Sequence, residues 1–246
     1  MPITFGNRIF APRPFTTLLT TVLIAMLVSL GRWQLQRAAE KRVLFDSFAA
    51  GSDATRSIDL QTPKVPRYSQ VEAEGHYDDT RQVLIDNMVH AERAGYFVIT
   101  PFALQGGGWV LVNRGWVPLG RSRAERPAIP VAADTRRIRG RADNLPSPGI
   151  QMGTPAAPAP PYPVVANFPT RSEVAKLLKE SSWTPAADLI LLDPKEPEGY
   201  VRDWSAPGFP PMRHIGYAVQ WFGLAAALLV IYIVTNFRRA GKDEAV

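Results

Sequence analysis

The chain of 246 residues contains no cysteine. Disulfides, thiolate zinc sites, covalent haem attachment through Cys-x-x-Cys-His and thiol redox chemistry are excluded together, so a folded domain must hold itself by packing. Histidine is scarce as well. His76, His90 and His214 are the three present, and none has another at metal-ligand spacing. Catalytic signatures are missing: there is no Gly-x-Ser-x-Gly elbow, no His-Glu-x-x-His, no Walker loop and no Gly-x-Gly-x-x-Gly opening a helix. His76 and His90 read as loop or strand-end residues, and Asp78, Asp79 and Asp86 as turn and strand-edge solubilisers. A membrane-anchored hydrolase built on Asp86 lacks any supporting residue set, and the chain is expected not to be an enzyme.

Long uncharged runs are what the chain does have. No charge appears from Pro14 to Gly31, and Ile215 to Phe237 is a second run of 23 uncharged residues closed by Arg238 and Arg239. Each approaches or exceeds the ~20 residues that carry a helix across hydrocarbon. A cleaved signal peptide is disfavoured for the first, because the bulky and charged stretch Arg32 to Arg37 follows where a small-x-small cleavage site would stand. The expected layout is a cytoplasmic N-terminus (1–14), a first span (15–35), an extracytoplasmic domain (36–212), a second span (213–237) and a cytoplasmic tail (238–246). Arg238, Arg239 and Lys242 favour a cytoplasmic tail, whereas Arg32, Arg37, Lys41 and Arg42 outnumber Arg8 and Arg13 and alone point the other way. Long loops translocate largely regardless of charge, which places the centre outside the cytoplasm. The short stretch MPITFGNRIFAPRPF leaves little room for a transit peptide, so a bacterial inner membrane with a periplasmic domain is expected over a mitochondrial one. The net charge is +6, and the basic residues cluster at the membrane edges and scatter elsewhere, with no run of them interleaved with aromatics. The lipid bilayer, not nucleic acid, is its expected partner.

Between the runs, Leu35 to Ala50 has the composition of a helix continuing out of the membrane. The stretches YSQVEAEGHY, QVLIDN, YFVITPFAL and WVLVNRGWV carry strand signals, and QGGG between the last two predicts a hairpin. RRIRGRAD from Arg136 and ADLILLD predict further strands. Pro146 to Pro169 holds eight prolines in 24 residues, which excludes a helix or central strand and predicts a long surface excursion. Thr170 with Glu173 forms a capping box that opens a short helix. The fold class expected is a membrane protein: two transmembrane helices flanking an α+β domain dominated by an antiparallel sheet or small barrel.

His214 stands where the second run begins. Tyr217 and Trp221 follow at helical spacing, with Gln220 beside them, and Gly216, Gly223 and Ala227 make a narrow neighbouring face. If both runs span, Trp33, Gln34 and Arg37 arrive at the same depth, so two helix ends frame one site. Imidazole is a common haem ligand, aromatic rings suit the macrocycle and arginine suits its propionates. The competing reading is an ordinary aromatic belt with arginine anchors. Buried amides such as Gln34 and Gln220 bond each other or a ligand.

Three separated blocks resemble the Surfeit locus protein 1 family of cytochrome c oxidase assembly factors. They are LGRWQLQR (Leu30, Gly31, Trp33, Gln34, Leu35, Arg37), GYFVITPFAL with WVLVNRGWVP (Gly95, Thr100, Pro101, Asn113, Arg114, Gly115, Trp116, Pro118), and HIGYAVQWFGLA (His214, Tyr217, Ala218, Trp221, Phe222). The resemblance implies two terminal membrane helices around a soluble domain. It implies a role in maturing the haem-containing subunit of an aa3-type oxidase, with haem a bound as cargo and His214 as axial ligand to its iron. Oxidase subunit I and haem a synthase are the partners it implies. The alternative is a scaffold that stabilises assembly intermediates without holding haem. Arg114 and Trp116 read either as a brace of the hairpin or as an exposed strand surface that docks those partners.

Overall fold

The computed structural model describes residues 3–5, 8–50, 54–148 and 157–239. In chain order the elements are β1 (Ile3–Phe5), β2 (Arg8–Phe10), α1 (Pro14–Ala50), β3 (Arg56–Ser57), β4 (Gln70–Tyr77), β5 (Val83–His90), β6 (Arg93–Leu104), β7 (Trp109–Pro118), β8 (Arg136–Asp143), β9 (Val164–Ala166), α2 (Arg171–Leu178), β10 (Leu189–Leu192), α3 (Pro211–Asn236) and β11 (Phe237–Arg239). They form two compact units, one of residues 1–47 and 206–246, the other of residues 48–205.

The first unit is an antiparallel pair of helices. Their most apolar windows have mean hydropathies of 1.8 and 2.0, so both are long and apolar enough to cross a membrane. α1 is one continuous helix of 37 residues and bears out the extension past Leu35. The buried and half-buried positions of α1 include Thr17, Thr20, Ile24, Leu27, Gly31, Gln34, Ala38, Lys41 and Phe45, alternately three and four apart. On α3 the same alternation joins Pro211, His214, Ala218, Trp221, Ala225, Leu228 and Tyr232. Such a repeat keeps one seam facing the partner along its whole length. Small residues sit at its centre, with Gly31, Ala38, Ala218 and Ala225 buried, and small residues allow helix backbones to approach closely. The outward faces, with Phe15, Leu18, Val219, Val230 and Val234, are apolar and uncovered. β2 pairs with both β1 and β11 in a small antiparallel sheet where the two termini meet. Three-residue strands of this kind lack a readable period, and the sequence reading assigned those stretches only as tails.

The second unit is a barrel. Its strands lie in the order β3-β4-β8-β10-β7-β6-β5-β9, and an additional β4–β6 pairing closes β4, β8, β10, β7 and β6 into a ring. Every pairing within that ring is antiparallel except β10 with β7, so the sheet is mixed although antiparallel pairs dominate. Period-two alternation sorts the side chains: Val110 and Val112 of β7 and Ile190 and Leu192 of β10 join the cluster with Tyr77 and Phe102, while Leu111, Leu189 and Leu191 join the one that α2 covers. The capping box of α2 forms as expected, with Glu173 N donating to Thr170 Oγ1 at 3.3 Å and Thr170 N donating to Glu173 Oε2 at 2.7 Å. The proline-rich excursion is corrected in one respect: Val164–Ala166 adds a parallel edge strand beside β5, burying Val164 and Ala166. These three residues are free of proline and lie at the sheet's edge, where the flanking prolines cost no ladder bond. Residues 149–156 of that excursion lie outside the described ones.

Candidate functional site at the paired helix ends

The seam brings Gln34 of α1 against His214 of α3. His214 Nδ1 lies 2.8 Å from Gln34 Oε1. An amide oxygen only accepts, so Nδ1–H is the donor in this pair. The bond orients the imidazole ring through Nδ1, as a hydrogen bond to the second nitrogen does in many metal-ligating histidines. Both side chains are half-buried.

The flanks of the seam decide which neighbours share this site. At about 100° per residue, Tyr217 and Gln220 lie about 60° and 120° round α3 from His214 in one sense, and Phe222 about 80° in the other. On α1, Arg37 and Trp33 lie about 60° and 100° from Gln34 in the first sense and Gly31 about 60° in the second. In an antiparallel pair, flanks of the same sense fall on the same side. The second-sense flanks indeed meet, since a Cβ on Gly31 would stand 2.7 Å from the Phe222 ring. The opposite side therefore carries Trp33, Arg37, Tyr217 and Gln220 around a floor made by Gln34, His214 and Trp221. Trp33 and Tyr217 are about half exposed, at 49% and 46%. Arg37 stands over the Trp33 ring at 5.7 Å and pairs with Glu40 at 2.8 Å. Both partners of that ion pair are half exposed, and such a pair is weakly held. Arg213 stands over the Phe209 ring at 4.1 Å.

One expectation is corrected. Gly216, Gly223 and Ala227 do not adjoin His214, because they fall about 140° to 180° round α3 from it. A Cβ on either glycine would meet nothing within 4 Å, and the helix contact uses Gly31, Ala38, Ala218 and Ala225 instead. The sequence reading missed this seam. The alternation of three and four residues was its available signal.

The docking role expected of Arg114 and Trp116 is also corrected. They are 1% and 5% exposed, so neither offers a surface. Arg114 points toward the barrel interior, where Nε and Nη2 donate to Glu198 O at 3.0 and 2.8 Å, Nη2 to Pro130 O at 2.7 Å and Nη1 to Gln82 Oε1 at 3.1 Å. Burial pulls its pKa below the ordinary arginine value, against the opposing influence of Tyr200, Tyr77 and Glu198. Trp116 Nε1 donates to Met88 O at 2.9 Å, and its ring packs under Gly95, whose Cβ would stand 2.6 Å from it. The two residues brace the hairpin. Asp86 is buried against Arg123, and its Oδ1 accepts from Asn87 N at 2.6 Å. His76 is exposed on β4, and His90 faces Asp203 at 3.5 Å. Among the described residues no three His, Cys, Asp or Glu groups gather as a metal site.

In the chain, two terminal helices long and apolar enough to cross a membrane precede and follow a closed barrel, and an imidazole–amide pair stands on the helix seam. The chain belongs to the SURF1 family, whose sequence profile matches residues 21–226, from within α1 through the barrel and into α3. The family is one of cytochrome oxidase assembly factors. A SURF1-like protein of Rickettsia conorii is 27% identical over 240 residues, covering 93% of this chain and 94% of that protein. A SURF1-like protein of Rickettsia felis is 26% identical over 231 residues, covering 89% and 96%. Surfeit locus protein 1 of Xenopus tropicalis is 28% identical over 242 residues, covering 86% of this chain and 72% of that protein.

Proposed function

We propose that this protein is an assembly factor for an aa3-type cytochrome c oxidase that holds haem a as cargo at the paired helix ends and aids its insertion into subunit I. Haem a synthase is a partner in this reading. Both helices span a bacterial inner membrane with the barrel in the periplasm. The observation that carries the proposal is the Gln34–His214 hydrogen bond, which orients the imidazole through Nδ1 on a seam shared by two helices.

The residues present fit the group. A neutral imidazole is a ligand for haem iron, and haem a supplies the redox centre that the oxidase requires. Tyr217, Trp221 and Trp33 offer aromatic surface to a flat apolar guest, whose burial is driven mainly by area removed from water. Gln220 adds an amide on the same side. Arg37, held only by a weak surface pair, can turn from Glu40 to a carboxylate and form charge-assisted bonds with it.

The test is spectroscopic. The full chain purified from cells that make haem a is expected to carry an a-type absorption band, and His214→Ala to lose it while the helix content of the circular dichroism spectrum is retained. A colourless wild-type preparation, or a band that survives His214→Ala, overturns the proposal and leaves a scaffold without haem as the better account.

A further inference from the structure

Among the described residues, two side-chain hydrogen bonds join α1 to α3: Gln34–His214 and, at the opposite end of the pair, Thr17–Tyr232 at 2.6 Å. We infer that Thr17 and Tyr232 are positioning residues for His214, setting the helix register in which Gln34 reaches the imidazole. The inference is independent of whether haem is bound.

The direction of the far bond follows from the neighbouring one. Thr17 Oγ1 donates its single proton to Arg13 O at 2.8 Å, so Tyr232 is the donor and Thr17 the acceptor. Tyr232 and its surroundings make a defined end of the pair: its ring meets Phe10 edge-on at 6.3 Å, and its backbone carbonyl accepts from Asn236 Nδ2 at 2.7 Å.

Geometry couples the two bonds. Thr17 and Gln34 are separated by about 26 Å along α1 and His214 and Tyr232 by about 27 Å along α3, at about 1.5 Å per residue. The spacings agree to within one residue's rise, so both bonds form together in one register. A slip of one turn, about 5.4 Å, breaks both. The seam between them is built of small and apolar residues such as Ile24, Leu27, Ala218 and Ala225, whose contacts carry no directional hydrogen bond to fix the register. The Phe222 ring lying against Gly31 adds a steric notch, but the polar bonds discriminate most where surroundings are apolar, because no water replaces a lost partner. Polar residues at seam positions act in this way in coiled coils, where they specify register at some cost in stability. Interhelical bonds of this kind shift a helix–helix equilibrium by about three- to twenty-fold.

The measurement uses the haem-free full chain in lipid nanodiscs, labelled with 15N-histidine. Only three histidines contribute signals, and His214→Ala assigns the third. The wild type is expected to show His214 as a single Nδ1-protonated tautomer with a slowly exchanging proton. Gln34→Leu removes both properties. Tyr232→Phe, which deletes one oxygen 27 Å or so away, is expected to speed that exchange about three- to twenty-fold and to admit the other tautomer. Thr17→Ser, which keeps the hydroxyl, behaves as wild type, and Thr17→Val behaves as Tyr232→Phe. Either Tyr232→Phe or Thr17→Val decides the matter alone if the other accumulates poorly. A His214 signal unmoved by both, while Gln34→Leu moves it, overturns the inference; so does a wild type in which Nδ1 is unprotonated. A colourless protein in the haem experiment leaves this result untouched.

Discussion

Arg114 is the residue whose removal has the most readable consequence. Its guanidinium is buried among Glu198 O, Pro130 O and Gln82 Oε1, with the rings of Tyr77 and Tyr200 at 5.7 and 5.1 Å, and among the described residues no carboxylate pairs with it. It ties β7 to two loops, one around Ile129 and Pro130 and the other around Glu198. Arg114→Met keeps the apolar stem and removes the donors to Glu198 O and Pro130 O, while Gln82 Oε1 keeps its bond from Thr100 Oγ1 at 2.9 Å. At about 1 to 3 kcal/mol for each acceptor left without a donor, the gross loss is about 2 to 6 kcal/mol. Relief of the buried charge's own desolvation returns part of it, and the net is about 2 to 3 kcal/mol. Against a total of about 5 to 15 kcal/mol for a domain, that is a large share. Urea unfolding of the full chain, followed by fluorescence of Trp109, Trp116, Trp183 and Trp204 in the barrel unit, measures it. Arg114→Lys is expected to recover less than half, because a compact ammonium cannot span both loops as the planar fork does. A loss under about 1 kcal/mol for Arg114→Met, the size of an ordinary surface substitution, would refute the brace.

Two further outcomes follow from the same structure. Gly31→Ile places a branched side chain where a Cβ alone already stands 2.7 Å from Phe222, so the helix pair should open at its centre; the a-type band should fall with helix content unchanged, and an intact band would contradict the seam. Asp78 is subject to a burial penalty that raises its pKa, but hydrogen bonds from Thr80 and Arg81 and the Arg81 charge outweigh it, and the net pKa lies below the ordinary 3.8. Its ionised form therefore stabilises the fold fully above the unfolded value and loses that contribution as pH falls below 3.8 through the depressed folded value. Asp78→Asn should flatten the acid limb of stability against pH in that window, and an unchanged limb would refute the assignment.

How much of this was legible depends on the range of the interaction. The strand over Trp109–Pro118 was readable because β-branched and aromatic residues run together, and α2 because Thr170 and Glu173 stand three apart ahead of an apolar stripe. The β9 strand was hidden by the prolines around it, although Val164 to Ala166 contains none. Closure of the barrel depends on Gly75, His76 and Tyr77 pairing with Leu104, Ala103 and Phe102, a match that no local pattern announces. At the candidate site, His214, Tyr217 and Trp221 were singled out from their spacing and position. The placement of Gly216 and Gly223 was misjudged, because helical spacing says which residues share a face of one helix but not which face meets the partner.

Local and compositional properties were determined by the sequence alone: the absence of every thiol-dependent chemistry, two uncharged runs of spanning length, the alternation that makes strands and the cap that starts α2. Each depends on residues within a few positions of one another, so the backbone's own periodicities express it. Tertiary structure alone decided that Arg114 is enclosed, that β4 meets β6 to close a ring, and that Gln34 Oε1, 180 residues away in the chain, comes to accept a hydrogen bond from His214 Nδ1. Those outcomes rest on contacts between distant positions, where burial and hydrogen-bond partners exist only once the elements have packed.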